Sequence, residues 1–285
     1  LNKRNAEVLV PKLGYVRFRL SVKWEDIQQA TSARITCRNN RWHVSFTTPP
    51  KPKKATGQGV VGIDRGVAVT AMTSDGQSFQ APRAKKQQAR YEKLQRVLNT
   101  KAKGSKNRKK VLDKMADVRF KAGNQRKDWL EKTTTHLAES YDAVVLEDLK
   151  VENMTKRVAP KQDERGNYFP NGQAAKRGLN KAILGSAWGG LKTRLSDKTT
   201  VVLCPPAYTS QRCSVCGHAE PENRKEQAVF TCLACGHSEN ADLNAAKNIR
   251  DAGIALLEQG PREDIALSLN EGLRSKDQGL PLAAV

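Results

Sequence analysis

Two closely spaced pairs of cysteines constrain the fold of this chain more than any other feature of its sequence. Each pair has the form C-x-x-C, and 15 residues separate the two pairs. This spacing is typical of a site in which four thiolates surround one zinc ion. Four thiolates complete a tetrahedral shell and leave no position open for a substrate, so we predict one structural zinc ion in a ribbon at residues 207–239. The predicted zinc ligands are Cys213, Cys216, Cys232 and Cys235.

The other two cysteines, Cys37 and Cys204, stand alone in the sequence. We expect both to be small, buried hydrophobic side chains. Each cysteine pair is followed by Gly-His, and the glycine favours the tight turn that lets backbone amides point at the sulfur atoms. His218 and His237 are expected to lie beside the ligands or on the surface of the ribbon, because four cysteines already fill the zinc shell.

The chain is strongly basic, with 50 Lys and Arg against 29 Asp and Glu and a net charge of +21 over 285 residues. Such a protein repels itself unless a polyanion offsets the charge, and nucleic acid is the usual polyanion. No apolar run approaches the roughly 20 residues that a membrane-spanning helix needs, and the first residues show no apolar signal segment. We therefore expect a cytoplasmic protein that binds nucleic acid and has no membrane partner.

More than half of the net charge lies in one long helical stretch. Between Arg83 and Lys132 there are 18 Lys and Arg but only 5 Asp and Glu. These are too few acids for the i,i+4 pairs of an ordinary solvated helix, so we predict a surface that follows phosphates. A second basic surface is predicted on the N-terminal strands, where a plain solvated sheet face is the alternative. The predicted nucleic-acid contacts are Arg17, Arg19, Arg34, Arg41, Lys106, Arg108, Lys109, Lys110 and Arg126.

Hydrophobic periodicity predicts an α/β protein, with strands and helices that alternate along a mixed layer. The expected strands are 13–20, 33–37, 41–48, Val60–Ile63, Val67–Met72, 141–149 and 200–206, and the expected helices are a hairpin at 83–139, 179–198 and one after Asp242. A loop is expected at 151–178. The predicted divisions are a β unit at 1–50, a linker at 51–59, a main domain at 60–206, the ribbon at 207–239, the last helix of the main domain at 240–259 and a disordered tail at 260–285.

Three acidic residues occupy positions that suit the binding of divalent cations. Asp64 follows an apolar strand, beside glycines that would leave room for a phosphate, and Glu147 ends another apolar strand. Asp242 comes directly after the ribbon, where a helix is predicted to begin. Acids at the ends of buried strands are poorly solvated and repel one another, and divalent cations relieve that repulsion. We therefore predict that these three residues bind magnesium and catalyse phosphodiester hydrolysis.

Each acid also has an ordinary structural interpretation when it is taken singly. Asp64 suits a turn, Glu147 a strand end and Asp242 a helix N-cap. Their joint occurrence in a basic chain favours a metal site. The sequence contains no Walker-type loop and no dinucleotide-binding fingerprint, and its four histidines suggest no catalytic triad.

Five motifs resemble, in order, the RuvC-like nuclease core of the TnpB (OrfB) family, which are RNA-guided nucleases of insertion sequences related to compact type V CRISPR effectors. The motifs are VGIDRGV, AVVLEDL, AYTSQRCSVCGH, FTCLACGH and NADLNAAKNI. The resemblance covers about residues 57–250. The segment at 1–50 looks like the latter part of the family's wedge domain, a partial β-barrel.

The resemblance implies an RNase H-like (RuvC-like) fold in which the three acids hold two Mg²⁺ ions and Asp64 bridges both. It also implies a guide RNA and a target DNA, with base pairing reading the sequence. The helical hairpin would lie along the heteroduplex, and the ribbon and the 151–178 loop would control access to the metals. Family members normally have more protein before position 1 and a helical recognition domain. The tail after residue 259 matches no motif of the family.

Two other functions fit the same motifs. One is an RNA-guided repressor that binds DNA without cutting it, although three poorly solvated acids have no evident use in such a protein. The other is an RNase H-like nuclease or resolvase that uses no guide. The leading expectation is a magnesium-dependent, RNA-guided DNA endonuclease.

Overall fold

The computed structural model describes residues 4–39, 41–49 and 57–259. The strands in these ranges are β1 (Asn5–Val10), β2 (Gly14–Arg19), β3 (Ser32–Arg38), β4 (Arg41–Thr47), β5 (Val60–Asp64), β6 (Ala71–Thr73), β7 (Ser78–Phe79), β8 (Ala143–Glu147), β9 (Thr200–Cys204), β10 (Val229–Thr231) and β11 (Ser238–Asn240). The α-helices are α1 (Trp24–Gln28), α2 (Lys85–Asn99), α3 (Lys106–Ser140), α4 (Val151–Met154), α5 (Gln173–Gly185), α6 (Trp188–Lys198) and α7 (Ala241–Glu258).

The chain divides into two compact units. Of the described residues, one unit contains 4–39, 41–49 and 84–124, and the other contains 57–83 and 125–259. The long helix α3 contributes residues to both. The predicted tail at 260–285 and most of the predicted linker lie outside the described residues. Within the described ranges, every helix is too short or too polar to cross a membrane.

The first unit combines two β-hairpins with a helical hairpin. Strands β1 and β2 pair with each other, as do β3 and β4, and the two hairpins form separate two-stranded sheets. The rings of Phe18 and Phe46 connect them, with centroids 5.7 Å apart. Asn39 donates a hydrogen bond to Asp117 of α3, and the guanidinium of Arg41 lies 5.7 Å from the ring centre of Phe120 on the same helix.

The second unit is built on a five-stranded mixed sheet with the order β7-β6-β5-β8-β9. Strand β5 is antiparallel to β6 and parallel to β8, and β8 is parallel to β9. Strand β8 is buried along its whole length, as expected for a parallel strand covered on both faces. The predicted α/β class and its mixed sheet are confirmed.

Alternating side chains of β8 supply both hydrophobic layers of this sheet. Val144 and Leu146 pack with α6 and the second part of α3, and Val145 packs with Ile249 of α7 on the opposite face. Helix α7 lies very close to β5, because a Cβ atom added at Gly62 would stand only 2.2 Å from the main-chain oxygen of Ala246. Of the glycines beside Asp64 that were expected to leave room for a phosphate, Gly62 therefore makes room for a helix.

The structure differs from the predicted elements at several places. The strand expected at Val67–Met72 is shorter and begins at Ala71, because the chain must first reverse to pair β6 antiparallel with β5. The predicted loop at 151–178 contains α4 and the start of α5. The helix expected at 179–198 is broken at Ala187, whose φ of 60° lies in the left-handed region. Strand β1 was not predicted.

Candidate metal centres

The fold brings Asp64 and Glu147 to the same edge of the sheet. Ile63 pairs with Leu146 in the parallel ladder, so the next residue of each strand lies at its carboxyl end. Neighbouring strands in a sheet lie about 4.8 Å apart. Glu147 also stands beside Cys204, the last residue of β9. In open α/β sheets this edge is the usual place for ligands.

Asp242 is the second residue of α7, and its carboxylate is not used to cap that helix. The N-cap is Asn240, whose side-chain oxygen accepts hydrogen bonds from the amides of Asp242 and Leu243 at 3.0 and 3.1 Å. The N-cap interpretation of Asp242 is therefore wrong. Its Oδ1 atom instead accepts a hydrogen bond from Nη2 of Arg224, 3.1 Å away.

The pKa of Asp64 shows that its ionised form is destabilised at this position. Burial, followed by the nearby charges of Glu147 and Asp242, raises the pKa of Asp64 from 3.8 to about 7. The two other acids are thus close enough to destabilise its ionised form. The three carboxylates are less closely grouped than the four cysteine sulfurs, because among the described residues their oxygens do not all lie within 4.8 Å of one another.

Hydrogen bonds from neighbouring side chains hold Glu147 in place. Glu147 is only 9% exposed, and its Oε1 accepts a hydrogen bond from Oγ1 of Thr209 at 2.6 Å. Arg65 donates to the main-chain oxygen of Glu147. Thr209, Arg224 and Arg65 were not predicted as site residues from the sequence. The AYTSQ motif before the ribbon was the available signal for Thr209.

We expect Asp64→Asn to stabilise the protein in buffer that contains zinc but no magnesium. The folded chain holds the Asp64 proton up to a pKa of about 7, whereas the unfolded chain loses it near 3.8, so the free energy of unfolding falls as pH rises between these values. The amide carries no such penalty. The advantage of the variant in melting temperature should therefore grow from pH 6 to pH 8.5, by about 1 kcal/mol in unfolding free energy.

Asp148→Asn is the matched control for this measurement. Asp148 is adjacent to Glu147, but its ion pair with Lys150 at 2.6 Å lowers its pKa. The same chemical change should give no stabilisation there. An equal melting temperature for Asp64→Asn and the wild type at pH 8.5 would mean that Asp64 is not strained.

The four predicted zinc ligands form a single cluster. Their sulfur atoms all lie within 4.8 Å of one another, with Cys213 and Cys235 3.8 Å apart and Cys216 and Cys232 3.6 Å apart. A tetrahedron with zinc–sulfur bonds of about 2.3 Å has edges of about 3.8 Å. The cluster therefore fits one zinc ion. It is the only group of three or more metal-ligand side chains this close together in the described ranges.

The two halves of the ribbon repeat one pattern that the sequence analysis missed. Each half reads C-x-x-C-G-H-x-E. In both halves the histidine Nε2 lies 3.0 Å from a carboxylate oxygen of the glutamate two residues later, which pairs His218 with Glu220 and His237 with Glu239. The histidines thus lie beside the two C-x-x-C turns and outside the sulfur cluster, as predicted.

Buried asparagines attach the ribbon to α7. Asn244 accepts from the amide of Ser214 and donates to the oxygen of Arg212, and Asn248 donates to the oxygens of Thr209 and Arg212. Their spacing of four residues puts both on one face of the helix. The same segment that carries Asp242 is therefore bonded to the segment that carries Thr209.

The lone cysteines differ in their surroundings. Cys204 is buried, as predicted, and burial raises the pKa of its thiol to about 11. The prediction of burial is wrong for Cys37, which is exposed on β3 because that hairpin belongs to a two-stranded sheet with little cover.

The predicted nucleic-acid contacts lie on exposed or half-buried positions of the strands and of α3. Some have partners within the chain. Arg17 pairs with Glu7 at 3.2 Å, and Nη1 of Arg108 donates to the oxygens of Leu98 and Lys101, which closes the connection between α2 and α3. The exposed members are Arg17, Arg19, Arg34, Arg41, Lys106, Lys109 and Lys110, and the half-buried ones are Arg108 and Arg126. Their role in binding stays a prediction.

Two family models match this chain. Residues 43–158 match OrfB_IS605, described as "Probable transposase", and residues 188–249 match the "Cas12f1-like, TNB domain". The two matches include all three acids and all four clustered cysteines.

Curated relatives and a solved structure are also similar. "Putative RNA-guided DNA endonuclease InsQ" from Escherichia coli (strain K12) is 36% identical over 272 residues, covering 91% of this chain and 65% of the relative. "Putative RNA-guided DNA endonuclease" from Streptomyces pristinaespiralis is 32% identical over 252 residues, covering 83% and 57%. A structure titled "Cryo-EM structure of the Cas12f1-sgRNA-target DNA complex" aligns with a TM-score of 0.46 and 19% identity, covering 73% of this chain and 42% of that one. The chain spans less than two thirds of the length of these relatives.

Proposed function

Because the chain belongs to the OrfB (TnpB) family, we propose that it is the catalytic part of an RNA-guided DNA endonuclease. The observation that carries this proposal is the placing of Asp64 and Glu147 at neighbouring strand ends with Asp242 nearby, where burial, followed by the charges of Glu147 and Asp242, raises the pKa of Asp64. Relatives over most of the chain carry the name RNA-guided DNA endonuclease.

The proposed architecture is an RNase H-like core formed by the five-stranded sheet with α3, α6 and α7. Its support is the mixed sheet, with acids at the ends of two adjacent parallel strands and a third acid on a helix packed against them. The two N-terminal hairpins would then be the remaining part of a wedge domain, and α2 and α3 the hairpin that follows the heteroduplex.

Asp64, Glu147 and Asp242 are the proposed magnesium ligands. Carboxylate oxygens are the donors that Mg²⁺ prefers, and binding would offset both the burial of Asp64 and the repulsion from Glu147 and Asp242 that raise its pKa. When bound, two Mg²⁺ ions would activate water and stabilise the leaving oxygen of a phosphodiester. Thr209 would orient Glu147, and Arg224 would hold Asp242 in place until substrate and metal compete for it.

The four-cysteine cluster is proposed to hold one structural zinc ion. A complete shell of thiolates leaves no open position, so the zinc would take no part in the reaction. Its effect would be to hold the ribbon that carries Arg224 beside the start of α7, where Asp242 lies.

Guide RNA and target DNA are the proposed partners, and the net charge of +21 supports a polyanionic partner. Exposed lysines at the start of α3, including Lys106, Lys109 and Lys110, would contact phosphates without reading sequence. Base pairing with the guide would supply the specificity.

The test of guidance is cleavage of a matched target plasmid in Mg²⁺, using protein co-expressed with its flanking DNA. The sample is divided, and one half is treated with ribonuclease before the target is added. We expect cleavage that disappears with the RNA. Cleavage that survives ribonuclease would replace this proposal with an unguided nuclease, and binding of the matched target without cleavage would replace it with a repressor.

Thr209→Val is expected to weaken magnesium binding without unfolding the chain. Valine has the shape of threonine but cannot donate to Glu147. Loss of a partner that orients a metal ligand typically costs about 10- to 100-fold in affinity or activity. The measurement is the Mg²⁺ concentration for half-maximal cleavage, with Thr209→Ser as the control that keeps the hydroxyl. An unchanged value for the valine variant would show that this hydrogen bond does not support the site.

A further inference from the structure

A buried cation lies among the acids of the proposed magnesium site. Arg65 directly follows Asp64 and is only 5% exposed. It donates a hydrogen bond from Nη2 to the main-chain oxygen of Glu147, and this bond joins the segment after β5 to the end of β8. Its Nε atom is buried and has no hydrogen-bond partner among the described residues. A guanidinium so poorly solvated needs negative charge nearby.

Asp64 and Glu147 are the acids that can supply this charge. Both act on Arg65 electrostatically, Glu147 most strongly, and Asp148 acts more weakly. Asp148 already has an ion pair with Lys150, and Asp242 has one with Arg224. Within the described part of the chain, Asp64 and Glu147 form no direct ion pair, so the buried guanidinium of Arg65 is a cation that can offset the charge of both, while Arg224 also acts on Asp64.

We propose that Arg65 is a positioning residue that holds the end of β8 at the metal site and whose positive charge limits how tightly the site binds its cation. The inference rests on the proposed function, because it takes Asp64 and Glu147 as the ligands. In the absence of a divalent ion, the guanidinium lowers the free-energy cost of burying these ionised acids. When the ion binds, the same guanidinium repels it, and this repulsion is large in a poorly solvated site.

A purely structural role for Arg65 predicts something different. If the side chain only filled space and bonded Glu147, its loss would lower stability by the same amount with and without a divalent ion. If its charge matters, the loss of that charge must destabilise the ion-free protein most and must strengthen ion binding. These two effects are linked, because both measure the free energy of coupling between the charge of Arg65 and the bound ion.

Arg65→Gln and Arg65→Lys separate charge from hydrogen bonding. Glutamine keeps an N–H donor and loses the charge, whereas lysine keeps both a donor and the charge. Melting temperatures are measured in zinc-containing buffer with and without MnCl₂, and Mn²⁺ binding is followed by the electron paramagnetic resonance signal of the free ion. We expect Arg65→Gln to melt earlier without Mn²⁺, to gain more from Mn²⁺ than the wild type and to bind Mn²⁺ about tenfold more tightly. Arg65→Lys should bind Mn²⁺ as the wild type does.

The controls connect the signal to this site and distinguish the possible failures. Asp64→Asn should lose the stabilisation by Mn²⁺. A glutamine variant that is equally destabilised in both buffers, or that binds Mn²⁺ no more tightly than the wild type, would overturn the role of the charge and leave the proposed metal site standing. Wild-type protein without Mn²⁺ binding would overturn the metal site itself and this inference with it. If Arg65→Gln folds only when Mn²⁺ is present, that recovery supports the inference, and failure to fold in either buffer overturns it.

Discussion

Asp64→Ala is expected to reduce magnesium-dependent cleavage by more than about a hundredfold, which exceeds the usual effect of losing a residue that merely supports a ligand. Asp64 ends β5 beside Glu147, and it is the acid whose ionisation both other acids oppose. Removing it takes away the carboxylate on which the charges of the two other acids act. The measurement is the rate of target cleavage by guide-loaded protein at saturating Mg²⁺.

Binding of the target should survive this substitution, because the proposed phosphate contacts and base pairing do not involve Asp64. A gel-shift measurement with matched target DNA therefore accompanies the cleavage assay. Asp148→Ala is the matched control, since Asp148 is adjacent to Glu147 but pairs with Lys150 and is expected to retain cleavage. If Asp64→Ala cut as fast as the wild type, the three-acid mechanism would be wrong.

Cys232→Ser is expected to remove the zinc and to lower cleavage by at least about tenfold. Structural zinc sites contribute on the order of 10 kcal/mol to folding, and three remaining thiolates cannot complete the tetrahedral shell. Cys232 belongs to the buried hydrophobic cluster of the ribbon, with Cys213, Phe230 and Ala241. Loss of the zinc should also disturb the position of Asp242, because the bond between Arg224 and Asp242 joins the ribbon to the start of α7.

Zinc content by atomic absorption and cleavage rate are measured on the same preparation. Cys37→Ser is the control, because Cys37 is exposed and distant in sequence from the cluster, so the same substitution should leave both quantities unchanged. Full zinc content in the Cys232→Ser protein would show that the four cysteines are not the ligands. Normal cleavage by zinc-free protein would show that the ribbon does not support the acids.

The local elements of the second unit could be predicted because each depends on the residues of one short segment. The apolar runs at Val60–Ile63 and 141–149 became the buried parallel strands β5 and β8, since a strand covered on both faces needs apolar side chains throughout. The cysteine spacing likewise predicted the sulfur cluster, because its ligands come from two turns with their own local geometry.

The errors arose where another segment decides the conformation. Nothing between residues 67 and 70 distinguishes a strand from a bend, and only the antiparallel pairing of β6 with β5 requires the chain to turn there. The glycines beside Asp64 suggested space for a phosphate, but the small size of Gly62 serves the close approach of α7. Cys37 was expected to be buried, and its exposure follows from the small size of the sheet around it.

The sequence by itself determined most of the elements, the cysteine cluster and the family resemblance, because spacing, periodicity and motif order are local properties of the chain. It also indicated which acids end buried strands. Only the tertiary structure decided that Thr209 bonds Glu147, that Arg224 pairs with Asp242 and that Arg65 lies buried among the acids. These contacts join residues between 18 and 82 positions apart. They therefore depend on strand register and on how the ribbon is attached to α7, and no local sequence pattern indicates either.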